Sequence, residues 1–396
     1  MEILNKMIGS DKMKRIYTTD LNEMLKDGYT KKFANKYLRT VNAELDNPAY
    51  EKEYVKWAHE HGFFAECAYA YGLNDDNYTN YLSDYDYYLI WPLNSWQKIW
   101  INDKLTLKYL LANTEYDSLM PKYYYYNSNG AMMALLDNPY KNKEYVFEDF
   151  LRILDEKGAI ACKPCNGTTS LGFFRISNKN GRFYKDDQEI SICDLEKLVQ
   201  AQKNYIFTEY LRPSKYFERY SPLIHTLRLV VLNENGYNPQ IIAGYLRIPN
   251  SLTGSANYVV LTGANQNKYN IFMDLNTETG EYGPGKLTYV DRVLDATTHP
   301  DLNVPLSGLI ENYDELVKQV LGIARRINTV SYMGFDIGII DDGFKIMEIN
   351  SHPGIKYLQI FNPLMNRKVT RKYYKSKIDE ILSMSNENKK MREGIR

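Results

Sequence analysis

Three oxygen-bearing side chains late in the chain stand at a spacing that suits a divalent cation. The segment SYMGFDIGIIDDGFKIMEINS reads as a hairpin turning at Asp342-Gly343, with Asp336 in one strand and Glu348 and Asn350 in the other. Strand periodicity is two, so residues 348 and 350 share a face, and the hairpin brings Asp336 beside them. Mg²⁺ takes a few carboxylate or amide oxygens and completes its octahedron with water and phosphate. Solvated acids on an open hairpin are the plainer reading. Against it, Ile346, Met347 and Ile349 flank the acids, and buried carboxylates without a cation are costly. Two carboxylates this close would also repel each other when no cation is present.

A second constellation is KPCNGTTSLGFF, where Lys163 ends an apolar strand and a loop of small residues, Asn166 to Gly172, follows. Backbone N–H groups of such a loop cradle phosphate oxygens, and a lysine adds a point charge. It is neither G-x-x-x-x-G-K-[ST] nor G-x-G-x-x-G. A plain turn has the same composition. Arg228 in HTLRLVV and Arg247 in GYLRI lie among apolar strand residues. Each must pair with a carboxylate or face a phosphate, because an unpaired guanidinium is unfavourable there. Thr208, Glu209, Tyr210 and Leu211 close another apolar strand.

The elements that position these groups alternate irregularly. Residues 1–100 read as mostly helical. Asp103 caps a helix through KLTLKYLLANT, and Pro121 with the aromatics after it starts an extended segment. A helix over VFEDFLRILDEKG ends at Gly158. AIACKPC is a strand, FFRISNKNGRFYKD a hairpin at Asn180-Gly181, ISICDLEKLVQAQ a helix and NYIFTEYL a strand. HTLRLVVLNENGYNPQIIAGYLRI gives two antiparallel strands around an Asn-Gly turn. Residues 251–305 read as irregular, YDELVKQVLGIARRI as a helix, and a last helix spans about 371–384. The polar tail from Ser385 is expected to fray. Strands and helices mix without strict βαβ order, so the fold class is α+β.

Bulk properties narrow the function. A chain of 396 residues exceeds one ordinary core, so several lobes are expected. Lysine plus arginine equals aspartate plus glutamate, 49 against 49, so no global field draws nucleic acid or acidic membrane. There is no signal-peptide pattern and no apolar run of membrane-spanning length, which points to the cytoplasm. Four cysteines make no disulfide framework. Cys162 and Cys165 form a C-x-x-C, but a loop follows where a thioredoxin helix would start, and no second pair completes a zinc site. Packing is their expected role.

Taken in order, Lys104, Lys163 with its loop, the TEYL segment, Arg228, Arg247 and Asp336…Glu348-x-Asn350 resemble the ATP-grasp superfamily. The chain is most similar to its sugar-transfer-associated, or TupA-like, branch. The resemblance covers about residues 100–365, and GFDIGIIDDGFKIMEINSHPG, HTLRLVV and HPDLNVPLSG carry it. It implies two α+β lobes holding ATP between them, over 101–207 and 208–384, after a helical region 1–100 and before a tail 385–396. Lys104 and Lys163 would contact the phosphates, and Asn166, Gly167, Thr168, Thr169 and Ser170 would close over them. Thr208 to Leu211 would form the adenine hinge, with Thr208 or Glu209 in its first position. Arg228 and Arg247 would be catalytic, and Asp336, Glu348 and Asn350 would hold Mg²⁺. Where the branch often has paired glycines, this chain reads GANQNKYNIF, so its acceptor pocket is expected to differ. The implied reaction is carboxylate–amine ligation through an acyl phosphate, in bacterial surface-polysaccharide synthesis beside glycosyltransferases. A kinase acting on a hydroxyl, or a non-catalytic ATP-binding subunit, would use the same nucleotide site.

Overall fold

A computed structural model describes residues 17–167, 171–249 and 268–394. Two antiparallel sheets dominate. The first, smaller sheet runs in the order Ala131–Ala134, Tyr123–Ser128, Tyr205–Glu209, Ala159–Pro164, Phe174–Lys179, Arg182–Lys185 and Gln188–Ile190. The second runs Val293–Ala296, Glu281–Thr288, Asn270–Leu275, Gln240–Ile248, Thr226–Leu232, Tyr332–Ile340 and Gly343–Asn350, with Gly308–Leu309 pairing beside Glu281–Thr288. Helices cover both sheets, and the fold is α+β as the sequence suggests.

Local signals explain most element ends. The Asp103 side chain accepts from Thr106 N and starts the helix Lys104–Leu111. The helix Phe147–Lys157 stops at Gly158, whose φ of 69° is left-handed. Asn180 and Gly181, at φ 55° and 82°, turn the expected hairpin.

Packing then makes the second sheet the centre of the molecule. Every residue of Thr226–Leu232 is buried, because the strand is covered on both faces. Leu229 and Val231 join a core with the helices Lys104–Leu111 and Tyr313–Arg326, whereas Val230 and Leu232 face a different one. That second core contains Tyr37, Phe64, Ala68 and Tyr85 from the N-terminal helices, and Tyr374 and Ile378 from the helix Lys368–Leu382. The N-terminal region therefore shares its core with the second sheet. A third core lies between the first sheet and the helices Phe147–Lys157 and Ile192–Ala201.

Two sequence expectations fail. Residues 268–305 are not irregular but contribute the strands Asn270–Leu275, Glu281–Thr288 and Val293–Ala296. Gly283, Pro284 and Gly285 inside one of them hide its pattern. A Cβ on Gly285 would stand 2.7 Å from Leu306 Cδ1 and 3.1 Å from Ala296 O, so tertiary crowding calls for the glycine. Residues 250–267, the rest of that stretch, lie outside the described residues. The tail is not frayed either. Ser385 caps a helix, Asn386–Glu393, whose Arg392 is buried and donates to the carbonyls of Gly28, Leu89 and Trp91.

Replacing Arg392 by alanine should leave these three carbonyls without their donor and cost about 2–4 kcal/mol. Urea unfolding checks this; a loss below about 0.5 kcal/mol would mean the tail docks without contributing to stability.

Candidate functional site

A cleft lies between the two sheets. The first sheet supplies Lys163, Pro164 and Phe173 with its loop residues Gly167 and Leu171, and Tyr210 follows its strand Tyr205–Glu209. The second supplies Thr226, Arg247, Asp336, Met347 and Glu348, with Leu223 and Ile224 at the approach. Lys104 enters from its helix.

The carboxylates are held in register across three strands. Arg228 faces Asp336, and Asp336 faces Glu348 on the next strand. Arg228 grips Asp336 through Nε at 2.5 Å and Nη2 at 2.8 Å. Lys104 Nζ lies 3.2 Å from Glu348 Oε2 and donates to Gly167 O at 3.0 Å. Asn350 Nδ2 bridges both acids, 3.3 Å from Asp336 Oδ2 and 3.2 Å from Glu348 Oε1. Burial pushes the Glu348 carboxyl up, but the Lys104 charge and hydrogen bonds outweigh it and bring the pKa to about 2. The sequence reading left these acids repelling each other; the fold instead gives each a buried cation.

A β-bulge shapes the cleft wall. Asp336 pairs Glu348 but Ile337 pairs Ile346, so Met347 is an extra residue on its strand. Consecutive side chains of a regular strand face opposite ways, yet Met347 and Glu348 both line the cleft. Met347, Phe173, Leu171, Leu223 and Ile224 form an apolar side that the sequence reading missed. Alternation alone could not have found it, since the bulge breaks alternation there.

The other expected residues fall in several places. Arg247 lines the cleft, and its Nη2 donates to Thr226 Oγ1 at 3.0 Å. Arg228 pairs with Asp336, the structural one of its two expected roles. Asn166 is exposed at the loop start, and Gly172 ends the loop at φ 82° with its carbonyl taken by Tyr205 OH. Thr168, Thr169 and Ser170 lie outside the described residues. Of the hinge, Tyr210 reaches the cleft, with Arg175 and Arg212 at 5.5 and 5.8 Å from its ring. Thr208 is wholly buried between Tyr123 and Ala161, Leu211 is buried, and the Glu209 carboxylate accepts from Lys122 N at 3.0 Å. Cys162 and Cys165 belong to different cores, and Cys165 Sγ lies 3.2 Å from Asp103 Oδ2. Burial pushes the Cys165 thiol up to about 12. The pair packs, and neither metal nor redox use fits it.

The donor set fits Mg²⁺ better than a softer metal. Among the described residues no three His, Cys, Asp or Glu side chains gather, which disfavours a zinc-type site. Two carboxylates and one amide remain, and Mg²⁺ needs few protein ligands. The Asn350 amide presents nitrogen to the acids here; rotated, it would present its oxygen.

Lys163 makes no ion pair with any described carboxylate. Burial and Lys104 depress its pKa to about 8. The folded state thus binds this proton less tightly than the unfolded chain, so the penalty is present below pH 8 and fades as pH rises towards 10.5. An anion arriving at Lys163 should restore the proton. At pH 8, binding of a triphosphate should take up about half a proton, measurable by calorimetry in buffers of different ionisation enthalpy, and Lys163→Met should abolish the uptake.

Glu348→Gln should destabilise the metal-free protein by about 1–3 kcal/mol, because Lys104, only 6% exposed, loses its counter-charge. Denaturant melts without metal decide this. An unchanged or raised stability would mean that repulsion between the two acids, and not the lysine pair, dominates.

The model of the sugar-transfer associated ATP-grasp family matches residues 90–372, which include every strand of both sheets and the whole cleft. No curated protein matches the sequence. Among solved structures, the ATP-grasp ligase PsnB complexed with minimal precursor is 14% identical with a TM-score of 0.34. The match covers 70% of this chain and 60% of PsnB, less than two thirds of its length. D-alanine–D-alanine ligase from Bacillus anthracis is 12% identical at TM-score 0.35, covering 74% and 69%. D-alanyl-alanine synthetase A from Vibrio cholerae is 12% identical at TM-score 0.40, covering 72% and 66%. At such scores these likenesses carry no argument about chemistry. The family match spans well over half of the chain and encloses the cleft, and by it this protein belongs to the sugar-transfer associated ATP-grasp family.

Proposed function

We propose that this protein is an ATP-dependent carboxylate–amine ligase working with Mg²⁺. The observation that carries the reading is the charge balance of the cleft. Lys104, Lys163 and Arg247 line it against Asp336 and Glu348, and Arg228 stands behind Asp336. Four cations against two carboxylates leave a surplus of about two positive charges, which complements the net charge of Mg·ATP.

ATP would supply a phosphoryl group to a substrate carboxylate, and an amine would capture the resulting acyl phosphate. Within that reaction Lys163, which makes no ion pair with any described carboxylate, takes a phosphate oxygen. Lys104 bridges the loop carbonyl of Gly167 to Glu348 and ties loop position to metal site. Arg247 faces the phosphoryl group as it transfers, where fixed positive charge lowers the barrier most. Arg228 acts one step back, aiming Asp336 and opposing the burial that raises its carboxyl. Asp336, Glu348 and Asn350 would hold the cation, whose charge would offset that of the phosphate oxygens. Tyr210, Phe173, Leu171 and Met347 give the apolar surface that a purine base requires.

The substrate carboxylate and amine are proposed to come from surface-polysaccharide synthesis in the cytoplasm, with glycosyltransferases as neighbours. The family description supports the link to sugar transfer. Among the described residues no helix is long and apolar enough to cross a membrane.

The test is incubation with ATP, Mg²⁺, candidate sugar acids or amino acids, and hydroxylamine. A ligase should release phosphate and form a hydroxamate, and Glu348→Gln or Lys163→Met should lower both by at least about 100-fold. A stable phosphate ester without free phosphate would instead identify a kinase. Full turnover by Glu348→Gln would overturn the metal assignment.

A further inference from the structure

Directly after Asn350 the chain enters a region that the nucleotide cleft does not use. Ser351 is buried, and the Asn102 side chain holds both its N–H and its hydroxyl, at 3.0 and 2.8 Å. The hydroxyl also lies 2.7 Å from His352 Nδ1. The His352 ring packs on Trp91 and Phe33, with centroids 4.7 and 5.6 Å apart. The end of the Glu348 strand and the N-terminal helix Lys31–Leu45 meet at this ring cluster.

The cluster is surrounded by cations. Lys36 Nζ lies 5.1 Å from the Trp91 ring centre and 5.6 Å from that of Tyr88. Lys32, one helical turn earlier, lies 5.7 Å from Phe33. The charges bearing on Lys36 are those of Lys32 and Arg39, and those bearing on His352 are Lys98, Lys36 and Lys32. Lys32 and Lys36 make no ion pair with any described carboxylate. The His352 Nε2 is buried and has no hydrogen-bond partner. Ammonium groups gathered on one spot repel each other, and an anion among them reverses the sign of that energy. The cation–π contacts of Lys32 and Lys36 fix these two heads in place without neutralising them.

We propose that Lys32 and Lys36, beside the His352 ring cluster, bind the anionic group of the second substrate, a phosphate or carboxylate. As a statement about substrate, this rests on the ligase reading above. His352 stands four positions after Glu348, a span of at most about 14 Å of extended chain. A substrate about the size of a glycosyl phosphate reaches from the lysines to the cleft. The N-terminal helices then select the substrate, while the two sheets handle the nucleotide.

The test titrates inorganic phosphate and, separately, glucuronate into the full chain, first saturated with Mg²⁺ and a non-hydrolysable ATP analogue. Ligand NMR follows binding, and the double variant Lys32→Ala/Lys36→Ala is compared with the wild type. The proposal expects at least tenfold weaker binding of the preferred probe in the variant, with melting temperature and nucleotide affinity unchanged. The tighter probe tells whether the site reads phosphate or carboxylate. Equal binding by variant and wild type, or no binding of either probe to the wild type, overturns the proposal. Repeating the titration without nucleotide separates the two readings. If the wild type fails to bind the ATP analogue, the cleft assignment falls, yet the lysine comparison still stands.

Discussion

The buried pair of Arg228 and Asp336 is the constraint around which the rest is arranged. A carboxylate on the central strands of a sheet covered on both faces is unfavourable unless a cation meets it with good geometry. Arg228 does so through two parallel hydrogen bonds, 2.5 and 2.8 Å long, which fix the direction of the Asp336 oxygens. Pairing is in register from Arg228 to Asp336 to Glu348, so a slip of one residue would turn the whole set to the opposite face. Lys104 closes the row from outside the sheet. Because its ammonium also holds Gly167 O, the carbonyl of Gly167 and the carboxylate of Glu348 share one cation.

Rigidity behind this row comes from the two cores that flank the second sheet. One face rests on the helix Tyr313–Arg326, and the other on the N-terminal helices together with Lys368–Leu382. Arg392 ties the last helix to three carbonyls of the N-terminal region. The helices preceding the family match are thus part of the support for the catalytic strands. The same helices place Lys32 and Lys36 near the strand end that carries Asn350. Support of the sheet and selection of a substrate can be combined in one element because one face of the helix is buried and the other is not.

The chemistry-bearing residues were legible from short-range pattern. Asp336, Glu348 and Asn350 were found because hairpin and strand periodicity act over a few residues, and Lys163 because it precedes a run of small residues. Asp103, Gly158 and Asn180-Gly181 set their element ends by backbone chemistry within four residues. Where long-range packing decides, the pattern misled. Gly283 and Gly285 look like loop punctuation, yet they allow a strand to pass close to Ser307 and Leu306. The polar tail lacks an apolar stripe and still docks, because one arginine finds three carbonyls far away in sequence.

Sequence alone determined which groups are available for chemistry, the class of the fold and the order of most elements, since caps, turns and periodicity are local properties. Only the tertiary structure decided what those groups do for one another. Thr208 is sealed inside the first sheet while Tyr210 reaches the cleft. Arg228 grips Asp336 while Arg247 donates to Thr226 on the cleft wall, though both were read as equivalent strand arginines. Met347 turns into the cleft because one extra residue stands between two pairs. These outcomes depend on register between strands distant along the chain, and register is set by the burial of whole faces, which no window of sequence contains.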